Sequence, residues 1–160
     1  MADVYVIDSS ALIDLKELYP QNVFPQIWTN LTELIKAGRL ISPEEVFKEI
    51  EKKDDDLCAW CKIYKGMMFV PNSNEILNYV SEVMTAFPDL VNHDTINPVA
   101  DPFVIALARV INDGSVDSST PIVVAHESRR SPVKIPAICT SYGINNMRLL
   151  EMFSAEGWQF

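Results

Sequence analysis

Length and composition predict a single globular domain over residues 1–160. Of the 160 residues, 48% are hydrophobic and 22% are charged, which excludes disordered and fibrous proteins and leaves little room for a second domain. The net charge of −9 argues against a protein that holds nucleic acid mainly through a basic surface.

Basic residues are relatively enriched near the C-terminus. Residues 121–160 carry four basic and three acidic side chains, whereas residues 1–120 carry nine basic and nineteen acidic ones. We therefore expect any surface that contacts phosphate to involve residues 121–160.

The sequence predicts a cytoplasmic protein that does not contact a membrane. No run approaches the roughly 18 uncharged apolar residues of a membrane span, and the acidic start Met1-Ala2-Asp3 differs from a signal peptide. The odd number of cysteines predicts reduced thiols. Cys58 and Cys61 form a C-x-x-C inside a predicted helix, which indicates core packing more than a zinc or redox site.

The first elements predicted along the chain alternate between strand and helix. Residues 4–7 are an uninterrupted apolar run, typical of a strand buried on both faces, and residues 11–18 predict a short helix. Apolar residues at spacings of three and four predict an amphipathic helix over residues 24–35, with Gly38 as its C-terminal cap. Residues 40–41 predict a second short strand.

The segment Ser42-Pro43-Glu44-Glu45 predicts the start of another helix. Ser42 is the expected N-cap, Pro43 the first helical residue and Glu45 the acid that completes a capping box. This helix is expected to end near residue 53. The elements that follow are a helix over residues 54–64, a strand over 68–70, a helix over 72–87 and a polar loop over 89–100.

The last third of the chain contains the most apolar predicted elements. Residues 102–112 are apolar on nearly every side, which predicts a helix in the core, and residues 121–125 predict a buried strand. Residues 137–139 predict a last short strand, and residues 145–156 a final helix. This alternation predicts an α/β fold, a three-layer α/β/α sandwich around a mainly parallel sheet of about five short strands.

Several acidic residues are predicted to meet at the carboxyl edge of this sheet. Asp8 follows the first strand and Glu127 the last strong one, and ligands bind at this edge of open parallel sheets. Asp101 begins the core helix, and Glu45 and Glu49 lie on the helix after the second strand. A cleft of unpaired carboxylates makes sense chiefly when divalent cations fill it, and oxygen donors favour Mg²⁺ or Mn²⁺.

Most of these acids also have a structural interpretation. Asp101 is a good N-cap, and Glu45 is explained by the capping box. Glu49 alone is more often a solvated helix residue. Asp8 is harder to explain by structure, because a charge directly after a buried strand requires compensation. Two ions held by such acids would support in-line hydrolysis of a phosphodiester.

Three segments, taken in order, resemble the PIN domain family. Residues 5–13 resemble its hydrophobic first strand, first metal-binding Asp and small hydroxylated residue. Residues 43–50 resemble its second acidic motif, and residues 100–108 its third, an Asp at the head of an alanine-containing helix. The family's fourth motif, Thr-x-Asp, is Ala-His-Glu at residues 125–127, and residues 134–139 are similar to a PIN-like subfamily of bacteria and archaea.

The resemblance implies a Mg²⁺- or Mn²⁺-dependent endoribonuclease that hydrolyses RNA. It also implies the toxin of a type II toxin–antitoxin pair, with a small antitoxin protein as partner, and a homodimer. The metal ligands and catalytic residues that it implies are Asp8, Glu49, Asp101 and Glu127. The candidate substrate-binding residues are Ser10, which would orient a ligand or phosphate, and Arg129, Arg130 and Lys134 on the rim beside Glu127.

Other interpretations stay open at this point. The acidic balance and the altered fourth motif also fit a PIN-like domain that cleaves weakly and serves as a binding or assembly module. A phosphatase with Asp8 as nucleophile normally has a second Asp two residues later, where this chain has Ser10. His126, a lone histidine in a loop, is interpreted as a surface residue without a catalytic task.

Overall fold

A computed structural model describes residues 3–90, 100–114 and 119–160. Five strands form its central sheet: β1 (Asp3–Ile7), β2 (Leu40–Pro43), β3 (Phe69–Val70), β4 (Thr120–Val124) and β5 (Asn145–Met147). Their order is β3-β2-β1-β4-β5, and every neighbouring pair is parallel. The predicted α/β/α sandwich is confirmed, and the sheet is parallel throughout.

Helices flank the sheet. The described α-helices are α1 (Ser9–Leu18), α2 (Pro25–Lys36), α3 (Glu44–Glu51), α4 (Asp56–Ile63), α5 (Lys65–Met68), α6 (Asn74–Ala86), α7 (Asp101–Asp113), α8 (Ile135–Ser141) and α9 (Leu149–Ala155). A 3-10 turn lies at Pro88–Leu90, and most of the loop predicted over residues 89–100 falls outside the described residues. Within the described parts of the chain, no helix has the length and apolar character needed to cross a membrane.

The core helix and its neighbouring strands agree with the predicted pattern. Residues 104–108 of α7 are buried, as expected of a helix that is apolar on nearly every side. Residues 5–7 of β1 and 121–124 of β4 are also buried. The C-x-x-C cysteines lie on α4 and are buried free thiols, so core packing is confirmed for Cys58 and Cys61.

Two C-terminal predictions are wrong. Residues 137–139, predicted as a strand, belong to α8, whose first turn contains Pro136. A short apolar run fits a buried helix as well as a buried strand, so its pattern could not separate them. Residues 145–147, predicted as helix, form the edge strand β5, and α9 begins only at Leu149. Because only one neighbour pairs with β5, this strand tolerates polar residues such as Asn145.

The predicted capping box at Ser42 is also wrong. Ser42 lies in β2 opposite Phe69 of β3, and its buried hydroxyl donates a hydrogen bond to the carbonyl oxygen of Ile7 (2.7 Å). These two contacts keep Ser42 extended. Helix α3 therefore begins at Glu44, with Pro43 as an N-cap that makes no side-chain bond.

The register of the central strands brings two loops to one edge. Ile7 of β1 pairs with Val124 of β4, and the backbone N–H of Asp8 donates to the carbonyl oxygen of Val124 (2.9 Å). The segment that follows β1 and the segment that follows β4 are thus adjacent at the carboxyl edge, where ligands bind in folds of this class.

Candidate metal centre

Three carboxylates meet at the carboxyl edge of the sheet. Asp8, Asp101 and Glu127 each offer an oxygen, and these oxygens all lie within 4.8 Å of one another. Asp8 is 1% exposed and Asp101 is 8% exposed. Three of the four predicted metal ligands are therefore close enough together to hold a metal ion.

Asp8 is fixed by the start of α1. Its Oδ2 accepts hydrogen bonds from the backbone N–H (3.3 Å) and the hydroxyl (2.7 Å) of Ser10, so that Asp8 is the N-cap of this helix. Its Oδ1 is buried and has no hydrogen-bond partner among the described residues. One oxygen of Asp8 thus supports the helix, and the other is left without a contact.

Ser10 connects Asp8 to the loop after β4. While its Oγ donates to Asp8, the same oxygen accepts a hydrogen bond from the backbone N–H of His126 (3.0 Å). The residue that was expected to orient a ligand thus contacts one acid of the cluster and the residue preceding Glu127.

Asp101 lies inside the first turn of α7 and is not its N-cap. The N-cap is Ala100, and no side chain caps this helix end, so the N-cap interpretation of Asp101 is wrong. The positive end of the helix dipole favours a carboxylate here. Burial nevertheless raises the pKa of Asp101 to about 9, and the charges of Asp8 and Glu127 and a hydrogen bond with Glu127 also contribute.

Within the described residues, the cluster has no compensating positive charge. Burial raises the pKa of Asp8 to about 6, even though the bonds from Ser10 act in the opposite direction. Among the residues that the structure describes, no ion pair joins Lys, Arg or His to Asp8, Asp101 or Glu127. Carboxylates held close together in this way repel one another, and a bound cation would relieve that repulsion.

Glu127 is held by two segments that follow it in the sequence. Its Oε2 accepts a hydrogen bond from the backbone N–H of Ile135 at the start of α8 (3.3 Å). Its carbonyl oxygen accepts one from the guanidinium of Arg148, just before α9 (3.2 Å). The loop after β4 is therefore held by contacts with the start of α8 and with the residue before α9.

His126 is a connecting residue with a largely buried side chain, which corrects its interpretation as a surface residue. Its side chain is 8% exposed. Nε2 accepts a hydrogen bond from the backbone N–H of Leu149 (3.0 Å), and Nδ1 lies 2.8 Å from Oδ2 of Asp14. Since Nε2 accepts, the neutral ring carries its proton on Nδ1 and donates it to Asp14. The ring joins α1 to α9 behind the metal centre.

Glu49 lies beside the three-residue cluster, and each of its two carboxylate oxygens accepts a hydrogen bond. Its Oε1 accepts from the backbone N–H of Ala100 (2.7 Å), and its Oε2 accepts from the hydroxyl of Ser9 (2.7 Å). Glu45, the other acid of α3 considered from sequence, accepts instead from Lys48 (3.0 Å) and Asn72 (3.1 Å).

The predicted basic residues lie on the exposed surface near Glu127. Arg129 forms an ion pair with Glu151. Arg130 and Lys134 are exposed and form no ion pair within the described residues. Of the three predicted basic residues, these two could contact an anionic ligand without breaking an ion pair of the described residues.

The sequence does not predict the roles of three further residues at this site. Ser9 contacts Glu49, and Asp14 contacts His126. Arg148 contacts the loop of Glu127. The only signal for Ser9 was its position next to Asp8. Nothing in the spacing of Asp14 or Arg148 indicated their partners, which lie far away in the chain.

Comparison with known proteins gives a family without an assigned activity. No curated protein matches this sequence. A family model described as a domain of unknown function, DUF4411, matches residues 5–160 and so spans nearly the whole fold, including each acid of the cluster. The chain belongs to the DUF4411 family.

Proposed function

We propose that this protein is a metal-dependent endoribonuclease that hydrolyses RNA phosphodiester bonds, with Mg²⁺ or Mn²⁺ held by Asp8, Asp101 and Glu127. The observation that carries the proposal is Oδ1 of Asp8, a buried oxygen without a hydrogen-bond partner among the described residues. Leaving such an oxygen unpaired costs free energy. A cation in contact with it would remove that cost.

The chemistry of the donors supports the choice of metal. Three carboxylates provide hard oxygen donors, which suit Mg²⁺ and Mn²⁺. Burial, with the charges of Asp8 and Glu127, raises the pKa of the Cys139 thiol to about 12. Cys139 is not among the three residues whose donor atoms lie within 4.8 Å of one another, so this donor set contains no soft thiolate of the kind that zinc favours.

The surrounding residues divide the remaining tasks. When bound, the ion supplies activation of water and stabilisation of charge on the phosphate oxygens. Ser10 fixes the orientation of Asp8, a supporting role that commonly affects metal affinity. Arg130 and Lys134 provide exposed positive charge for RNA phosphates beside Glu127, and phosphate contacts of this kind position a substrate without reading its sequence.

The choice of RNA as substrate rests on the resemblance to PIN domains. The order of Asp8, Glu49 and Asp101 along the chain supports it, because these acids fall in the three segments that resemble the family's motifs. The same resemblance extends the proposal to a toxin that pairs with a small antitoxin protein and forms a homodimer.

The test is cleavage of labelled single-stranded RNAs with Mn²⁺, with Mg²⁺ and with a chelator. We expect cleavage by the wild-type protein only with metal. Asp101→Asn should lose at least about 100-fold in rate, since even residues that only support a metal ligand cost about 10–100-fold. The control is Asp113→Asn, the same substitution at the exposed end of the same helix.

Two results would count against the nuclease. Equal cleavage by wild type and Asp101→Asn would assign the activity to a contaminant. Metal binding without cleavage of any RNA would favour the binding or assembly module.

A further inference from the structure

We propose that Glu49 is a positioning residue that aligns the two metal-binding aspartates and is not itself a metal ligand. The inference rests on the metal centre of the proposed function. It differs from what the resemblance to PIN domains implies for Glu49.

Both carboxylate oxygens of Glu49 are already engaged. Each accepts one hydrogen bond of 2.7 Å, from the backbone N–H of Ala100 and from the hydroxyl of Ser9. Ala100 is 1% exposed and Ser9 is 7% exposed, so water does not readily replace either partner. Bonds to an ionised acceptor are among the strong hydrogen bonds of proteins. Direct coordination of a metal by Glu49 would have to use the second lone pair of an oxygen whose direction one of these bonds already fixes.

The two partners of Glu49 are the neighbours of the two aspartates. Ser9 directly follows Asp8, and Ala100 directly precedes Asp101. One carboxylate on α3 therefore joins the start of α1 to the start of α7, next to the side chains that form the cluster. Loss of this connection would free the first turn of α7 to move relative to Asp8.

The negative charge of Glu49 has only a small effect on the pKa values of the cluster. It contributes to the raised pKa of both Asp8 and Asp101, but in each case less than burial and less than the charge of Glu127. Glu49 is also absent from the set of oxygens that lie within 4.8 Å of one another. Its geometry is that of a support for the ligands.

Replacement by glutamine separates the two roles. In Glu49→Gln, Oε1 still accepts from Ala100, and Nε2 can donate to the Ser9 hydroxyl, which has free lone pairs. Both connections survive while the negative charge is lost. In Glu49→Ala both connections are lost.

The experiment is titration of the metal-free proteins with Mn²⁺ by calorimetry. We expect Glu49→Gln to bind within about threefold of wild type and Glu49→Ala to bind about 10–100-fold more weakly, the range seen when a residue that orients ligands is removed. The EPR spectrum of Mn²⁺ bound to Glu49→Gln should match wild type, because the ligands are the same. Glu51→Gln, an exposed acid on the same helix, is the matched control.

Three results would overturn the inference or its basis. Weakening of Glu49→Gln to the level of Asp101→Asn would make Glu49 a ligand. Wild-type affinity for Mn²⁺ in both Glu49→Gln and Glu49→Ala would show that Glu49 has no role at the site. Wild-type affinity in Asp8→Asn and Asp101→Asn would instead contradict the metal centre itself, and with it the proposed function.

Ser9→Ala provides a second test if Glu49→Ala does not fold. If Glu49 positions the ligands through its contact with Ser9, removal of the Ser9 hydroxyl should weaken Mn²⁺ binding severalfold. An unchanged affinity in Ser9→Ala would show that the contact between Ser9 and Glu49 does not position the ligands.

Discussion

The two edges of the central sheet surround acidic side chains in opposite ways. At the amino edge, where β1 and β2 begin, Glu156 accepts hydrogen bonds from the Tyr5 hydroxyl (2.6 Å) and from both terminal nitrogens of Arg39 (2.8 Å each). Arg39 is the main reason that the pKa of Glu156 is lowered. At the carboxyl edge, burial raises the pKa of Asp8 and Asp101.

This difference separates an acid whose charge is paired within the fold from acids that have no ion-pair partner among the described residues. The chain supplies Glu156 with a guanidinium, so the interaction is complete without any other molecule. At the candidate metal centre the acids repel one another, and one oxygen of Asp8 has no hydrogen-bond partner in the part of the chain that the structure describes. Perturbed, uncompensated groups of this kind cluster at functional sites, which is why the carboxyl edge is the part of the molecule to test first.

The largest expected effect separates the two edges by metal response. At a Mn²⁺ concentration about 100 times its Kd, the wild-type protein should gain about 2.7 kcal/mol in unfolding free energy. Asp101→Asn should lose this gain and, without metal, should unfold at the wild-type temperature or above it, since the substitution removes repulsion. Thermal unfolding with and without Mn²⁺ measures both. An equal metal response in the two proteins would place the ion elsewhere.

Glu156→Gln should show the reverse behaviour at the amino edge. Arg39 would lose its charged partner, and the unfolding free energy should fall by about 1–2 kcal/mol, because the pair is only partly exposed. The affinity for Mn²⁺ should not change. Chemical denaturation measures the loss. The control, Glu33→Gln, alters an exposed pair with Lys36 and should change the free energy by less than about 0.5 kcal/mol.

The third difference between the two edges is a pH dependence of stability at the carboxyl edge. Folding raises the pKa of Asp101 to about 9. Between the ordinary pKa of a carboxyl group and about 9, Asp101 therefore carries a proton in the folded protein but not in the unfolded chain. The stability of the metal-free protein should therefore fall as the pH rises from 5 to 8.5. Asp55 and Glu156 have lowered pKa values, so their contributions stay constant over that range.

Melting temperatures across this pH range measure the effect. We expect a decrease of about 2–4 °C for each kcal/mol lost and a smaller decrease in Asp101→Asn. A melting temperature of the metal-free protein that rises from pH 5 to pH 8.5 would contradict the uncompensated cluster.

Local patterns in the sequence were sufficient for most of the fold. The apolar runs of β1 and β4 and the apolar helix α7 identified the core, and the alternation of strands with helices predicted a mainly parallel sheet. Asp8 was identified because a charge after a buried strand needs a reason. These features depend on neighbours in the chain, which is the information that a pattern contains.

Contacts between distant residues could not be predicted. The pattern of residues 137–139 predicts a strand, because a short apolar run does not distinguish a strand from a helix. The pattern around Ser42 predicts a helix cap, and the bond of Ser42 to Ile7 that overrides it forms only when the strands pair. The partners of Glu49 and His126 lie 51 and 112 residues away, at Ala100 and Asp14, and only the folded chain brings them together.

The short outer strands of the sheet limit how copies of this protein can associate. β3 pairs with β2 over two residues, and β5 contains three. Each outer side therefore presents very few free backbone N–H and C=O groups, and brief edges of this kind resist the addition of a further strand from another chain. Strand addition at either outer side would therefore contribute little to a homodimer, and the sheet itself offers little template for aggregation.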